Sequence, residues 1–578
     1  MKIKYAFAQT AISLFCLLTK VQASEFQFSE DGTAGLIDPT QTSNIYTDRL
    51  ATAVFDTLYE FKYLQRPLQV KENLANGMPI ISSDGLKYQI KLKEGSKFSD
   101  DKCFPHGIGR NVTAHDFVYS INRHFDPKNK SQMRFLFEDI DSIKAIDNYT
   151  IEITLNKRRP QFIYTLTKGA AGIVPKEAVD YYGDGFGLHP VGSGPWILQE
   201  KNQLKAVLVR NPNYRLETFD LSKHGYNESV HAFSGIAQLQ NKRLPILDKV
   251  TVHFMGQDTT RWLSFNKGGE IQYTVLPSDL DGEVLVNKKP VQLKKEYSEK
   301  YNFNAIPDLS TIYFEFNMAN EAFGYHKDPV QNRKNRVLRC AIRDAYNWEQ
   351  MINRRYHGIG KAFKGIIPPE IDGFSGYYEP SSYSVSVEKA KKSLVEAGWT
   401  KNNLPHLEYT STARLVHDQT FTQFRNWLTK IGYPKNKISH RRFATFAEYW
   451  KTVKSSKLST HSAQSWSLDY PDAENILQIY YSPNAAPGAN NANYKNKEYD
   501  RLFEISTAML PGPERSEIYQ KLSQILYDDC VAISGFSRTH IHMWHKNIVM
   551  FPAPAVISNI FKWVGYDNKT TKAITNAR

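Results

Sequence analysis

Short segments of strict apolar–polar alternation, separated by segments of helical period, narrow the folds open to this chain more than any other feature. Leu86-Lys87-Tyr88-Gln89-Ile90-Lys91-Leu92, Thr150-Ile151-Glu152-Ile153-Thr154-Leu155 and Val250-Thr251-Val252-His253-Phe254 each put their apolar side chains on one face of an extended strand. Between them, Thr113 followed by Asp116 has the pattern of a capped helix start, with Phe117, Val118 and Ile121 on one face. Ser386 is placed to cap a helix running through Ala397, and Gly398 supplies the residue for a left-handed stop. Strands and helices that alternate in this way predict an α/β architecture. At 578 residues the chain is too long for one core, so two or three domains are expected. Loops are punctuated by pairs such as Asn211-Pro212 and Tyr470-Pro471, and there are no internal repeats.

The amino terminus bears on the compartment. Met1-Lys2-Ile3-Lys4 precedes an apolar stretch from Tyr5 to Leu18 and then Val21-Gln22-Ala23-Ser24, which predicts a secretory signal peptide cleaved after Ala23. The stretch contains Gln9 and Thr10 and falls short of the ~20 apolar residues of a membrane span. Phe15 before Cys16 is bulky where acylation signals want a small residue, so a free exported protein is expected. No later segment is long and apolar enough to cross a membrane, and the mature chain is expected to be soluble. Beyond the signal lie Cys103, Cys340 and Cys530, which in an oxidising compartment allow at most one internal disulfide and one free thiol. Sequence alone does not choose the pair.

Lys and Arg outnumber Asp and Glu, 73 to 59, but the excess is dispersed. With no compact basic helix or Cys/His finger, and with an export signal, nucleic acid is not an expected partner. The motifs of common catalytic centres are absent: no His-Glu-x-x-His, no G-x-S-x-G, no P-loop and no Cys-x-x-Cys. Gly192-Ser193-Gly194 lacks the spacing of a nucleophile elbow. His540, His542 and His545 fall on a strand-like stretch; with no adjacent carboxylate or cysteine they read as solvated imidazoles rather than metal ligands. No metal, cofactor or catalytic residue is expected.

Several stretches, in order, resemble the large bacterial extracellular solute-binding proteins of the oligopeptide, dipeptide and nickel transporter family. Leu36-Ile37-Asp38-Pro39 with Phe55-Asp56-Thr57-Leu58-Tyr59-Glu60 is similar to its amino-terminal segments. Ser83-Asp84-Gly85-Leu86-Lys87-Tyr88 and Val112-Thr113-Ala114-His115-Asp116-Phe117-Val118 resemble its strand pair and the helix after it. Val191-Gly192-Ser193-Gly194-Pro195-Trp196, Arg210-Asn211-Pro212-Asn213-Tyr214, Arg336-Val337-Leu338-Arg339 and Trp466-Ser467-Leu468-Asp469-Tyr470-Pro471-Asp472 follow in the family's order.

The resemblance implies a two-lobed periplasmic-binding-protein fold, large and of type II, with a hinge and an additional small domain. It implies a discontinuous first lobe of residues 24–55, 188–312 and 531–578, a small domain of 56–187 and a second lobe of 313–530. The implied function is capture of an oligopeptide in the periplasm for the permease subunits of an ABC transporter, by a monomer without a cofactor. Asp469 would receive the peptide's amino terminus, although its Asp-Tyr-Pro-Asp setting is also a plausible turn. Ser465, Trp466 and Ser467 before it, and Ser43, Asn44 and Ile45 across the cleft, would offer main-chain hydrogen bonds, with Tyr470 beside the site. Trp450 would line a side-chain pocket or pack in the core, and Lys457 would meet the ligand carboxylate or stand on the surface. Two departures stand out: the insertion from Asp101 to Asn111, with Cys103, and His461-Ser462-Ala463 where relatives carry further cations. The same fold also serves haem, metal chelates, opines and sugars, and a shared fold does not fix the substrate. An exported hydrolase is the reading from a different class.

Overall fold

The computed structural model of this protein describes residues 24–268, 270–378 and 383–576. The expected signal peptide lies outside them.

The period-two segments form strands at Lys87–Lys91, Thr150–Leu155 and Lys249–Phe254. The Thr113 cap also forms: the Asp116 carboxylate accepts the Thr113 N–H at 2.8 Å and the helix runs Ala114–Asn122. The later helix spans Tyr383–Glu396, so Ser386 sits inside it rather than at its cap. The turn before Ser386 contains no glycine or proline and takes helical geometry as well. Gly398 adopts the expected positive φ, +72°.

The first lobe is built on two sheets. In one, Glu25–Glu30 runs parallel to Lys249–Phe254, followed by Lys205–Arg210 and Trp196–Lys201. In the other, Thr539–His545 is flanked by Tyr273–Val275 and Tyr301–Pro307. Phe28 stacks on Tyr273, ring centroids 4.6 Å apart, and joins them. The small domain carries the antiparallel sheet Ile80–Ile81, Lys87–Lys91, Thr150–Leu155, Ile140–Asp147. The second lobe has Thr460–Ser467, Ser310–Phe316 and Ala532–Phe536 in that order, with the parallel pair Leu407–Thr412 and Ile438–Phe443 beside them. Cys340 and Cys530 form a disulfide that ties the helix Pro329–Ala345 to the end of the helix Pro513–Asp529, and Cys103 remains a free thiol.

Sheet membership moves the expected lobe boundaries. Ala532–Phe536, expected in the first lobe, pairs with Ser310–Phe316 in the sheet of the second, and that partner strand begins before residue 313. The crossings therefore fall at Asp308-Leu309 and Ser537-Arg538. They run side by side: the Asp308 N–H donates to the Arg538 carbonyl at 2.7 Å, and the ladder resumes at Pro307 opposite Thr539 on one side and Ile312 opposite Phe536 on the other.

A buried ionic network fastens the small domain to the first lobe. Lys562 lies 3.1 Å from both Glu60 and Glu217, Lys71 lies 2.8 Å from Glu60, and Arg215 reaches Asp56 at 2.8 Å and Glu217 at 3.2 Å. Ser193 belongs to this structural setting. Buried at the domain junction, it donates to Asp56 at 2.9 Å, and its neighbours must be glycine because a Cβ at Gly192 would stand 2.1 Å from the Val54 carbonyl oxygen.

Candidate functional site

Ser465, Trp466 and Ser467 end a strand with one edge occupied and the other partly open. Antiparallel pairing sets Ile312 opposite Ser465, Thr311 opposite Trp466 and Ser310 opposite Ser467. On the other edge, the first half of the strand meets Leu407–Thr412, where the Thr410 hydroxyl donates to the Thr460 carbonyl at 3.1 Å. Past Gln464 no described strand covers that edge, and Ser465 and Ser467 are exposed. Such an edge offers main-chain groups to an extended ligand.

Immediately after the strand, Asn475 arranges the turn. Fully buried, its side-chain oxygen accepts from the Trp466 indole N–H at 2.9 Å and from the Asp469 N–H at 3.2 Å, while its amide nitrogen donates to the Asp469 carboxylate at 3.3 Å. Trp466 and Asp469 are thus held by one side chain that sequence reasoning missed. The two aspartates of the turn part company here. Asp472 is buried and locked by Arg515 at 2.8 Å and the Tyr519 hydroxyl at 2.6 Å. Asp469 is exposed and has no cation partner among the described residues. Tyr470 stacks on Tyr164 of the small domain, centroids 5.7 Å apart, and its hydroxyl donates to Glu474. Burial pushes the Glu474 carboxyl up to about 7.

A cavity of about 720 Å³ lies between the lobes, within the usual size for a small-molecule site. Tyr273 and His542 line it from the first lobe, Asp308 and Arg538 from the crossings, and Arg355, Tyr356, Ser467 and Leu468 from the second lobe. Asp469 follows Leu468 directly. Ile45 also lines the cavity, but the segment Ser43-Asn44-Ile45 is not a flanking strand. Asn44 is extended, with φ −139° and ψ 160°, and its side chain accepts from the Thr47 N–H at 2.9 Å, capping the helix Ile45–Val54. The capping preference of asparagine turns the chain here.

Trp450 and Lys457 stand elsewhere. Trp450 lies on the helix Phe446–Lys454, stacked on Phe446 at 5.9 Å and covered by the Lys454 ammonium at 5.0 Å, beside a small core of Phe443, Tyr449, Val453 and Leu458. Lys457 is exposed just after that helix, and neither residue lines the interlobe cavity. His461, at the position where relatives carry cations, is fully buried and bonded to Glu315 at 2.8 Å. The three strand histidines each have a protein partner: His540 meets Asp308 at 3.1 Å, His542 the Tyr273 hydroxyl at 2.6 Å, and His545 the Phe265 carbonyl at 3.1 Å. They are therefore not simply in water. No group of three or more potential metal ligands occurs among the described residues.

Two lobes joined by paired crossings around such a space define a protein that takes a solute between them. Residues 69–488 match the profile of the bacterial extracellular solute-binding proteins, family 5, and the chain belongs to that family. It is 26% identical over 517 residues to the glutathione-binding protein GsiB of Salmonella paratyphi A, covering 87% of this chain and 88% of that one. Among solved structures it resembles HbpA2 from Haemophilus parasuis, with a TM-score of 0.75 and 19% identity over 94% of this chain and all of that one. It is also similar to the periplasmic murein tripeptide-binding protein MppA in its unliganded open form, with a TM-score of 0.73 and 18% identity over 94% of this chain and 98% of that one.

Proposed function

We propose that this protein captures a short peptide between its lobes and delivers it to the permease subunits of an ABC transporter, acting in the periplasm as a monomer once residues 1–23 have been removed. One observation carries the reading: the open strand edge at Ser465–Ser467 runs through Ser467 and Leu468, which line the interlobe cavity, directly into Asp469, an exposed carboxylate without a cation partner among the described residues. The edge supplies main-chain hydrogen bonds that ignore side chains, and the carboxylate supplies a counter-charge for a terminal ammonium. Two of the similar proteins named above bind glutathione and a murein tripeptide, which favours a short ligand. The role is binding rather than turnover, and the serine nearest to a nucleophile motif is committed to Asp56.

The test is native mass spectrometry of the mature protein isolated from the exported fraction without denaturation. Adducts that resolve into peptides on unfolding, and that Asp469→Ala loses, are the expected result. A single non-peptide mass, whether haem, metal chelate, opine or sugar, refutes the peptide assignment.

A further inference from the structure

The second lobe carries another cleft, of about 400 Å³, between the helix Pro329–Ala345 and the helix Tyr383–Glu396. Among the described residues it shares no lining side chain with the interlobe cavity. Its floor is small and apolar: Ala341 and Ala390 are buried, and Val337 stands beside them. Its rim is basic, and the charges there do not cancel. Arg343 is committed to Asp344 at 2.7 Å and lies over the Tyr527 ring at 3.9 Å. Arg336 donates to the Asp528 carbonyl at 3.0 Å and stands 3.8 Å from the Asp529 carboxylate. Arg333 from one helix and Lys389 from the other have no ion pair or side-chain hydrogen bond among the described residues. The Ser393 hydroxyl, also on the rim, has no partner there either. Both walls are fixed in place. Cys340 lines the cleft and its disulfide to Cys530 anchors the first helix, while the Trp399 indole N–H, just past the second helix, donates to the Lys334 carbonyl at 3.0 Å.

We propose that this cleft is a second binding site, separate from the one between the lobes, and that it takes a phosphate monoester through Arg333, Lys389 and Ser393. The charge balance selects the ligand. Two cations without partners leave an excess of two positive charges, and a phosphate monoester carries about −1.5 to −2 at pH 7, whereas a single carboxylate would answer only one of them. The guanidinium fork of Arg333 fits two phosphate oxygens, the Lys389 ammonium serves as a point charge, and the Ser393 hydroxyl supplies a further donor. The volume selects the rest of the molecule. It lies within the range of small-molecule clefts and exceeds what one phosphate fills, so the ester carries an organic part that rests on Val337, Ala341 and Ala390. Because the walls are already held by the disulfide and the Trp399 bond, little ordering is left for the ligand to bring about. A soluble sugar or glycerol phosphate and the phosphomonoester headgroup of a lipid present this same chemistry.

The test titrates the mature protein with glycerol 3-phosphate by calorimetry at low ionic strength, and in parallel sediments it with vesicles of phosphatidylcholine with and without phosphatidic acid. The wild-type protein should bind at least one of the two phosphate probes, and Arg333→Gln combined with Lys389→Gln should weaken that binding by roughly tenfold or more, as expected for charged hydrogen bonds. The double variant should unfold at the wild-type temperature, since neither side chain is tied to the rest of the protein. Loss confined to glycerol 3-phosphate supports the site and identifies a soluble ester as its ligand; loss confined to the phosphatidic acid vesicles supports it and identifies a lipid headgroup. Absence of wild-type binding to both probes overturns the proposal. So does a double variant that binds both as the wild-type protein does, which would reduce the effect to the overall positive charge of the chain. Neither result touches the peptide reading, which concerns the other cavity.

Discussion

Replacing Lys562 by methionine tests whether the buried network is what joins the small domain to the first lobe. Lys562 is 2% exposed and touches Glu60 and Glu217 at 3.1 Å each. At that distance an effective dielectric of 20 gives about 5 kcal/mol of attraction per contact, set against several kcal/mol for desolvating each ion. Removing one partner leaves a buried negative charge shared by Glu60, Glu217 and Asp56, with Lys71 and Arg215 as its remaining ion-pair partners among the described residues, a loss of about 3–5 kcal/mol. Burial works to raise the Glu60 carboxyl, but Lys562 and Lys71 outweigh it and bring it down to about 2. A carboxyl depressed on folding contributes stability in full above its ordinary value of 4.5 and loses it as pH falls toward 2. Lys562→Met should therefore shift the acid unfolding midpoint to higher pH as well as lower the urea midpoint at pH 7, both followed by far-ultraviolet circular dichroism. Adding Glu60→Gln should recover a good part of the loss. A single variant within about 0.5 kcal/mol of wild type, or a double variant as unstable as the sum of its parts, would refute the reasoning.

Three further outcomes are expected. Asp469→Ala should weaken peptide affinity by roughly tenfold or more, measured by calorimetric titration, whereas Asp472→Ala should chiefly lower stability because Arg515 and Tyr519 lose their buried acceptor. Replacing Cys340 and Cys530 together by serine opens a loop with a sequence separation of 190, and chain entropy puts the cost at up to about 5 kcal/mol in unfolding of the second lobe. The variant should be indifferent to dithiothreitol, which destabilises the wild-type protein. Glu474→Gln should raise stability at pH 8 and leave it unchanged at pH 4, because a carboxyl raised on folding to about 7 costs stability as pH climbs from 4.5 through 7. Thermal unfolding at the two pH values checks this.

What the sequence made legible was whatever rests on local periodicity. Thr150–Leu155 alternates strictly and is a strand over those same residues, and the Thr113–Asp116 pair caps the helix it announces. Ser43-Asn44-Ile45 misled because an extended residue about to cap a helix and a residue within a strand have similar backbone angles; what separates them is the Asn44 bond to Thr47. Ala532–Phe536 was assigned to the wrong lobe because its partner, Ser310–Phe316, lies far back in the chain, and register across such a gap leaves no local trace. Asn475 escaped notice for a different reason. Its importance lies in three hydrogen bonds to Trp466 and Asp469, and an asparagine in a turn looks the same whether or not it makes them.

The paired crossings at Asp308-Leu309 and Ser537-Arg538 also govern how the molecule holds together when it is cut or moved. Two independent linkers would let one lobe twist or slide past the other. Here the linkers are neighbouring rails of one antiparallel ribbon, held in step by the Asp308–Arg538 bond between them. A ribbon bends across its flat face far more easily than it shears in its plane, so this connection resists sliding of the lobes more than swinging. A protease that severed one rail would leave the other rail and both ladders intact, and the nicked protein would stay in one piece.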